Sequence, residues 1–525
     1  MRESMMDFVD KLGEWRENNR LEFKRAQGGF PKSFWETYSA FANTEGGVIV
    51  LGVDETPKGP RFVGVSDAEA LVQDLWNGMN NPQRASVNLL VDSDVIIQDV
   101  DGADVVIVKV PRADRYQRPV YVNNSMNAGT YRRSGEGDYR CTLEAVGAMM
   151  RDRADGATDK MPLDEIDLGA LSASSIRGYR NEFATIRMNH PWTNLADEEF
   201  LLRLGAIGRS ARDGKLHPTR AGLLMFGEAW RITDEFPNFF LDCRQVGEGR
   251  RWDNRIASDS GDWSGNVYDF WNRASVMLCE GLPSPFSLGP GLVRSDDTPQ
   301  HEAVREGLTN ALVHADYYGR TGVVAVKRRG VVKFSNPGCL RLPAEVVRGG
   351  GISDPRNKTL MTMFNLIGKG DKAGSGFDVF RQAAKYAGTA EPDLVELLEP
   401  DRVELTLYLE PSGAKLSALD GPAGVADSGN VVNAYDNGVA LDVDGASDAK
   451  KDGVNVVKSD TGNGSIDEAI IQCIRKAPSA SAVTIAEALG MSGRQVQRYL
   501  KRLREAGLIE RVGGTRGHWE VKEQS

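Results

Sequence analysis

The chain has 525 residues, too many for a single hydrophobic core, so three or four domains are expected. No apolar run approaches the roughly 20 residues that span a bilayer, the first residues lack a secretory signal, and the five cysteines have no C-x-x-C spacing. We therefore expect a cytoplasmic protein without a disulfide framework or thiolate zinc site, and its net charge of −10 argues against indiscriminate coating of nucleic acid.

Residues 1–153 alternate helical and strand-like patterns, which predicts a mixed α/β domain. The helical stretch Pro31–Asn43 places Phe34, Tyr38 and Phe41 on one side, and the β-branched run Val48–Val53 predicts a buried strand. Further strands are predicted at Leu21–Lys24, Val95–Val100, Val105–Val110 and around Tyr131, and a helix at Leu143–Arg153.

Several short motifs of this region resemble, in order and spacing, the Schlafen/AlbA-type domain over about the first 140 residues. They are Glu17 with Glu22-Phe23-Lys24, Phe41-Ala42-Asn43-Thr44-Glu45-Gly46-Gly47, Leu51-Gly52-Val53-Asp54, Val110-Pro111-Arg112, Pro119-Val120-Tyr121 and Tyr131-Arg132-Arg133-Ser134-Gly135. The resemblance implies a nucleic-acid-binding module, with RNA as a candidate partner and Lys24 as a phosphate contact.

In animal Schlafen proteins, two Glu and one Asp form a metal-dependent ribonuclease centre, and the resemblance carries these roles to Glu17, Glu22 and Asp54. Clustered carboxylates suit Mg²⁺ or Mn²⁺, which can activate water for phosphodiester cleavage. Asp54 can equally belong to an ordinary turn, and Glu22 to a solvated strand end. Cleavage, binding without cleavage, and a structural or protein-binding role all remain open from the sequence.

Residues 163–295 are expected to form a connecting α+β region. The pattern is helical through Arg180 and again at Glu198–Leu204, and it predicts a strand at Phe239–Arg244.

Residues 296–410 contain a second group of candidate site residues. Glu306 and Asn310 are four residues apart on a predicted helix, so both project from the same side of it. Strands are predicted at Gly322–Lys327 and Val331–Phe334, followed by Asn336-Pro337-Gly338. Further on, the glycines of residues 368–376, including Gly374 and Gly376, would let the backbone approach a phosphate closely.

The segment from Arg305 to Tyr317 resembles the opening motif of the divergent Bergerat-type (GHKL) ATPase domain of bacterial Schlafen/AlbA-type regulators, often labelled RecG-like. By that resemblance Glu306 polarises the attacking water, Asn310 holds Mg²⁺, and the loop with Gly374 and Gly376 covers the phosphates of ATP. Asn336 stands where such sites have an Asp that reads adenine. The resemblance also allows a degenerate domain that serves as a scaffold or dimerisation unit.

Two further features of this region bear on function. His314 follows the predicted helix and is expected to cap it. No G-x-x-x-x-G-K-[ST] loop occurs in the sequence, which argues against a helicase motor.

The composition of residues 411–464 predicts a flexible acidic tether, because the segment contains eight Asp, four Lys and a single aromatic residue, Tyr435. Beyond it, Ser465, Thr484 and Ser492 each precede a Glu or Gln by three residues, the pattern that opens a helix. Two β-type segments, Leu508–Val512 and His518–Val521, follow the third helix. The order predicts a winged helix-turn-helix over residues 465–522.

The third helix of this module, from Ser492 to about Ala506, has a basic outer face. Seven Lys or Arg and two Glu lie between Arg494 and Arg516, which favours contact with DNA phosphates and base edges, although a solvated face is the alternative. The candidate contact residues are Arg494, Gln495, Gln497, Arg498, Lys501, Arg502 and Arg516.

The sequence therefore predicts a multidomain α/β and α+β protein that acts as an ATP-responsive, DNA-binding transcriptional regulator, with a homodimer as one possible assembly. A metal-dependent ribonuclease, acting in defence against foreign nucleic acid, is the alternative. A protein-interaction hub is a third.

Overall fold

A computed structural model describes residues 20–411, with gaps at 57–58, 155–156, 248–251, 284–286, 289–293, 296 and 371–375, and isolated stretches between 470 and 521. The predicted tether lies outside the described residues. The chain divides into two compact units, residues 1–437 and 438–525, which are described separately. Among the described residues, no helix combines the length and apolar character needed to cross a membrane.

The first part of the larger unit is built on a four-stranded sheet with the order β1-β2-β6-β5. Strand β1 runs parallel to β2, and the other neighbours are antiparallel. The elements are β1 Leu21–Lys24, α1 Phe34–Ala42, β2 Gly47–Leu51, β3 Val53–Thr56, β4 Gly59–Phe62, α2 Ala68–Met79, β5 Val95–Val100, β6 Ala103–Val110, α3 Met126–Gly129, β7 Tyr131–Ser134, β8 Gly137–Arg140 and α4 Leu143–Arg153. The strands and helices predicted for this region are confirmed except for the run Val48–Val53, and the predicted aromatic side of α1 is fully buried.

One predicted strand differs from the structure. The run Val48–Val53 is divided at Gly52, whose φ of +98° ends β2 and redirects the chain into the β3–β4 hairpin. A Cβ at Gly52 would lie 3.1 Å from the Gly64 backbone, so the turn also requires a residue without a side chain.

Residues 163–398 continue with helices packed on a second, larger sheet. The elements are α5 Ala173–Ile186, α6 Asp197–Leu204, β9 Ile207–Arg209, β10 Leu216–Pro218, α7 Arg220–Phe226, α8 Ala229–Glu235, β11 Leu241–Val246, β12 Trp252–Ala257, α9 Val267–Cys279, β13 Ser287–Leu288, β14 Arg294–Ser295, α10 Pro299–Val313, β15 Val323–Arg328, β16 Val331–Pro337, α11 Ala344–Gly349, α12 Lys358–Leu366, α13 Gly376–Ala387 and β17 Asp393–Leu398; β18 Asp401–Tyr408 completes the sheet. The predicted helix at 198–204 and the strand pair after residue 322 are confirmed.

The larger sheet has six strands in the order β12-β11-β15-β16-β18-β17. Strand β11 pairs in parallel with β15, so residues 241–257 belong to the same sheet as residues 323–408. A single hydrophobic core extends from Leu163 to Leu409. Residues on both sides of the predicted boundary, between a connecting region ending at 295 and a domain starting at 296, therefore share one sheet and one core.

The smaller unit contains a compact apolar cluster. Ile470, Ile474, Ile485, Val496, Leu500, Leu503, Ile509 and Trp519 are buried together. Strands β19 Ile509–Val512 and β20 His518–Val521 pair antiparallel, as the predicted wing requires.

Candidate nucleotide site and nucleic-acid-binding elements

Helix α10 presents polar side chains to a cavity at intervals of one turn. Glu306, Asn310 and His314 each lie four residues apart, and all three line the cavity. The Nδ2 of Asn310 donates a hydrogen bond of 3.0 Å to Glu306 Oε1. The amide therefore keeps its Oδ1 as the oxygen that suits a hard cation such as Mg²⁺.

The opposite side of α10 is packed into the hydrophobic core. Val304, Leu308 and Leu312 are fully buried in the core, and the Cβ of a side chain at Gly307 would lie 2.6 Å from the Phe334 ring. Glycine at this position therefore lets α10 pack closely against Phe334 of β16.

Gly376, the first residue of α13, closes the cavity beside the polar pair. A Cβ at this position would lie 3.2 Å from Glu306 Oε1 and 3.3 Å from Asn310 Nδ2. The amino end of a helix carries unpaired backbone N–H groups and a partial positive charge, which suit a phosphate. The structure thus brings Gly376 to Glu306 and Asn310, whereas Gly374 lies outside the described residues.

The sheet forms the floor of the cavity. Asn336, near the end of β16, is buried and faces the same side as Val403 and Glu396, its partners across β18 and β17. Its Nδ2 makes one long hydrogen bond, 3.4 Å, to Pro337 O. The cavity has a volume of about 470 Å³, which is in the range of small-molecule sites. Apolar side chains complete its lining: Phe334, Leu340, Leu342, Val347, Ile352, Met361, Phe377, Phe380, Leu394, Val403 and Leu405.

Gly338 is not part of this cavity. It lines two other spaces, together with Arg132 and Asp401, and a Cβ on it would lie 2.9 Å from the Arg356 guanidinium. Of the five residues proposed for nucleotide contact, Asn310, Asn336 and Gly376 meet in the cavity with Glu306, and Gly338 does not.

His314 has two roles in the structure. It is the C-terminal cap residue of α10, as the sequence predicted, and its ring also lines the cavity. Burial, followed by the Arg356 and Arg341 charges, lowers the pKa of His314 to about 4. The imidazole is therefore neutral at physiological pH and can donate or accept a hydrogen bond.

Asn365 is a cavity residue that sequence reasoning missed, and so is the anchoring of Lys369, which does not itself line the cavity. Asn365 lines the cavity, and within the described part of the chain its buried Oδ1 accepts no hydrogen bond. Lys369, at the start of the glycine-rich segment, donates to Glu182 at 2.8 Å, and its Nζ lies 4.1 Å from the centre of the Trp271 ring. Glu182 belongs to α5, almost two hundred residues earlier, so no local pattern indicates this anchor.

The carboxylates proposed for the ribonuclease centre are only partly described. Glu22 on β1 forms ion pairs of 2.8 Å with Lys24 and with Arg133, and Asp54 on β3 pairs with Arg61 at 2.7 Å. Among the described residues, no group of three His, Cys, Asp or Glu is placed to hold a metal ion. Glu17 lies outside the described residues, so the three-carboxylate centre stays a prediction, as does the phosphate contact of Lys24.

The buried side of the winged helix-turn-helix is confirmed at three positions. The helical spacing of Val496, Tyr499, Leu500 and Leu503 predicts an apolar stripe on the third helix. Val496, Leu500 and Leu503 are buried, and Tyr499 lies outside the described residues. The predicted DNA-contacting residues Arg494, Gln495, Gln497, Arg498, Lys501, Arg502 and Arg516 lie outside the described residues, so their contacts stay predictions.

Comparison with known families agrees with this organisation. Residues 17–142 match the Schlafen AlbA_2 family, residues 465–510 match a winged helix-turn-helix DNA-binding family, and residues 147–242 match a domain of unknown function, DUF8451. These matches and the fold define a multidomain α/β protein with a winged helix-turn-helix DNA-binding domain. The N-terminal part of the chain is a Schlafen AlbA_2 domain.

Two solved structures are similar to the chain, one over its N-terminal part and one over nearly its whole length. The N-terminal domain of an ATP-dependent DNA helicase RecG-related protein from Nitrosomonas europaea is 36% identical, with 27% of this chain and 95% of that one covered and a TM-score of 0.21. The DIP2311 protein from Corynebacterium diphtheriae is 17% identical, with 99% of this chain and 97% of that one covered and a TM-score of 0.38. No curated protein is significantly similar to the chain.

Proposed function

We propose that the protein is a DNA-binding transcriptional regulator that responds to ATP bound in the cavity between α10, α13 and the six-stranded sheet. The observation that carries the proposal is the convergence of Glu306, Asn310, Asn336 and Gly376 on one cavity. Three separate segments of the sequence supply these residues, and each suits a different part of a nucleotide.

The polar end of the cavity fits a magnesium–phosphate group. The space beside Gly376 that a Cβ would fill, the amino end of α13 and the Asn310 amide together suit phosphate oxygens and a hard cation. Bound Mg²⁺ would supply charge neutralisation for the phosphates. Asn310 would hold the ion, and Glu306 would orient a water molecule at the terminal phosphate.

The deeper end fits a flat base. Asn336 offers both an acceptor and donors, so its Oδ1 would accept from an exocyclic amino group and its Nδ2 would donate to a ring nitrogen. Phe377 and Leu405 provide apolar surface for the ring.

The winged helix-turn-helix would read the DNA. The third helix would enter the major groove with Arg494 and Arg498, and Arg516 of the wing would contact the backbone. The N-terminal domain would add a nucleic-acid contact of its own, in keeping with the Schlafen AlbA_2 match.

Fluorescence anisotropy with a labelled duplex tests the regulator proposal. The full chain should bind DNA with an affinity that changes when ATP and Mg²⁺ are added, and the double variant Arg494→Ala/Arg498→Ala should bind weakly and lose about two units of salt dependence. Arg475→Ala, which removes an exposed cation from the first helix of the same unit, is the matched control. Equal binding by the double variant and the control would contradict the proposed reading helix, and an affinity unaffected by ATP would contradict the response.

A further inference from the structure

One wall of the nucleotide cavity is made by residues 339–342 and 351–355, called here the arginine wall because Arg341 lies at its centre. The N-terminal domain contacts this wall directly, although none of its own residues lines the cavity. The contacts come from the segment that follows β6 and from the end of α4.

Arg112 of the N-terminal domain holds the first half of the arginine wall. Its guanidinium forms two hydrogen bonds with Glu396, 2.8 and 3.2 Å long, and a third of 2.9 Å to Leu340 O. Glu396 in turn accepts from Leu340 N at 2.8 Å. Both groups of Leu340 are therefore fixed by one bidentate ion pair, a geometry in which Arg loses little freedom per hydrogen bond.

Arg115 holds the second half. Its Nε lies 2.6 Å from Asp354 Oδ2, and its side chain is 3% exposed. Asp354 also lies 3.6 Å from Arg341 Nε. Arg341 donates to Pro355 O at 3.0 Å and to Asp152 O of α4 at 3.1 Å. Arg341 is thus the residue at which the cavity, the wall and α4 meet.

These ion pairs are largely removed from water, so their loss is costly. Burial alone would raise the pKa of the Glu396 carboxyl, but the Arg112 charge and hydrogen bonds hold it below its usual value. Burial would also raise the pKa of the Asp152 carboxyl, but the charge and hydrogen bonds of Arg356 hold it below its usual value. Removing one partner of such a pair leaves the other charge buried and unpaired.

The cluster also contains more cationic than anionic groups. Arg118 has no carboxylate within ion-pair distance among the described residues, and burial followed by the Arg112 charge lowers its pKa to about 10. An excess of positive charge behind the wall favours an anionic ligand in the cavity, since the low dielectric of the interior screens the charges poorly.

We propose that Arg112 and Arg115 of the N-terminal domain are positioning residues of the cavity, so that ligand binding in the cavity and the attachment of the N-terminal domain are energetically coupled. The coupling depends on the proposed nucleotide function, because ATP is its ligand. The positioning of the arginine wall by Arg112 and Arg115 does not depend on that function. Coupling of this kind is reciprocal. If attachment of the N-terminal domain increases ligand affinity, ligand binding stabilises the contacts of that domain by the same free energy.

Hydrogen exchange on the full chain, without any ligand, tests the positioning. In Arg112→Gln the backbone amides of residues 339–342 should exchange faster than in the wild type. Leu340 O would keep only the 3.5 Å hydrogen bond from Arg118, and Glu396 would lose its ion-pair partner. The control is Arg320→Gln, which breaks the Arg320–Glu144 ion pair between the same two regions but lies outside the cavity lining. Unchanged exchange in the wall, or equal acceleration in the control, would overturn the proposal.

Calorimetry with ATP and Mg²⁺ tests the coupling. Arg115→Gln should bind ATP on the order of tenfold more weakly than the wild type. Arg115→Lys, which keeps the charge opposite Asp354, should recover most of the affinity, and Arg320→Gln should retain it. In the wild type, ATP should slow exchange in residues 112–118. Equal affinities for Arg115→Gln and Arg320→Gln would refute the coupling, whereas a wild type that binds no ATP would refute the nucleotide function and leave the exchange result to decide the positioning.

Discussion

Gly376→Ala separates the stability of the fold from the binding capacity of the cavity. Gly376 belongs to helix α13, and alanine favours the helical conformation. Replacing a helical glycine by alanine stabilises a protein by about 0.5–1 kcal/mol, and the two new contacts of 3.2 and 3.3 Å require Glu306 and Asn310 to move by only a few tenths of an ångström. The variant should therefore unfold at or slightly above the wild-type temperature.

The same methyl group should weaken ligand binding. It would occupy the space between the start of α13 and the polar pair, where the proposed phosphate and Mg²⁺ lie. Overpacking of this kind typically costs about 1–3 kcal/mol, which corresponds to roughly 5- to 150-fold in affinity for ATP.

Thermal unfolding with and without ATP and Mg²⁺ measures both effects in one experiment. The wild type should gain several degrees from a saturating ligand, and Gly376→Ala should gain much less at the same concentration. Gly147→Ala is the matched control, because it also replaces a helical glycine and its Cβ would meet only Arg151 Nη1, at 3.6 Å. The reasoning is refuted if Gly376→Ala unfolds normally and its ligand-induced shift equals that of Gly147→Ala.

Three further outcomes follow from individual side chains. The pKa of His314 is about 4 in the folded chain and 6.5 in its ordinary state, so the folded chain loses stability relative to the unfolded chain as the pH falls from 6.5 to 4. In denaturant unfolding, the free energy of unfolding of His314→Gln should fall by about 3 kcal/mol less than that of the wild type over this pH range. Parallel pH profiles of the two proteins would contradict this. Asp159 accepts hydrogen bonds from Thr359 N at 2.7 Å and Leu360 N at 3.1 Å, so Asp159→Ala should cost about 1–3 kcal/mol in the same assay, and an unchanged midpoint would argue against this cap. Incubation with tRNA and Mn²⁺ should leave the RNA intact if the protein is only a regulator; shortening that EDTA and Glu22→Ala both abolish would establish the ribonuclease alternative.

Local patterns were sufficient for most elements of the N-terminal domain and for one half of the cavity. The alternation of β-branched residues identified β2 and β6, and the four-residue spacing of Glu306 and Asn310 placed both on one side of α10. Such patterns involve only a few neighbouring residues, so they can be recognised without knowledge of the tertiary fold. Gly52 shows the limit, because the pattern could not indicate where one strand would break into two.

Long-range pairing explains what the sequence did not predict. Strand β11 joins β15 in parallel across eighty residues of chain, and no turn signal marks such a partner. Asn365 entered the cavity lining, and Arg341 came to face Asp152, only because distant segments pack together. Gly338 was assigned to the nucleotide by its place beside Asn336, but it lies just beyond the last residue of β16, and a Cβ on it would meet the Arg356 guanidinium.

The central claim is that the cavity between α10 and the six-stranded sheet holds ATP, and a calorimetric titration of the full chain with ATP in the presence of Mg²⁺ tests it most directly. We predict one binding event per chain that disappears in Asn310→Ala and persists in Gly147→Ala. The absence of binding heat in the wild type, confirmed by equilibrium dialysis, would contradict the claim, as would binding that Asn310→Ala leaves unchanged.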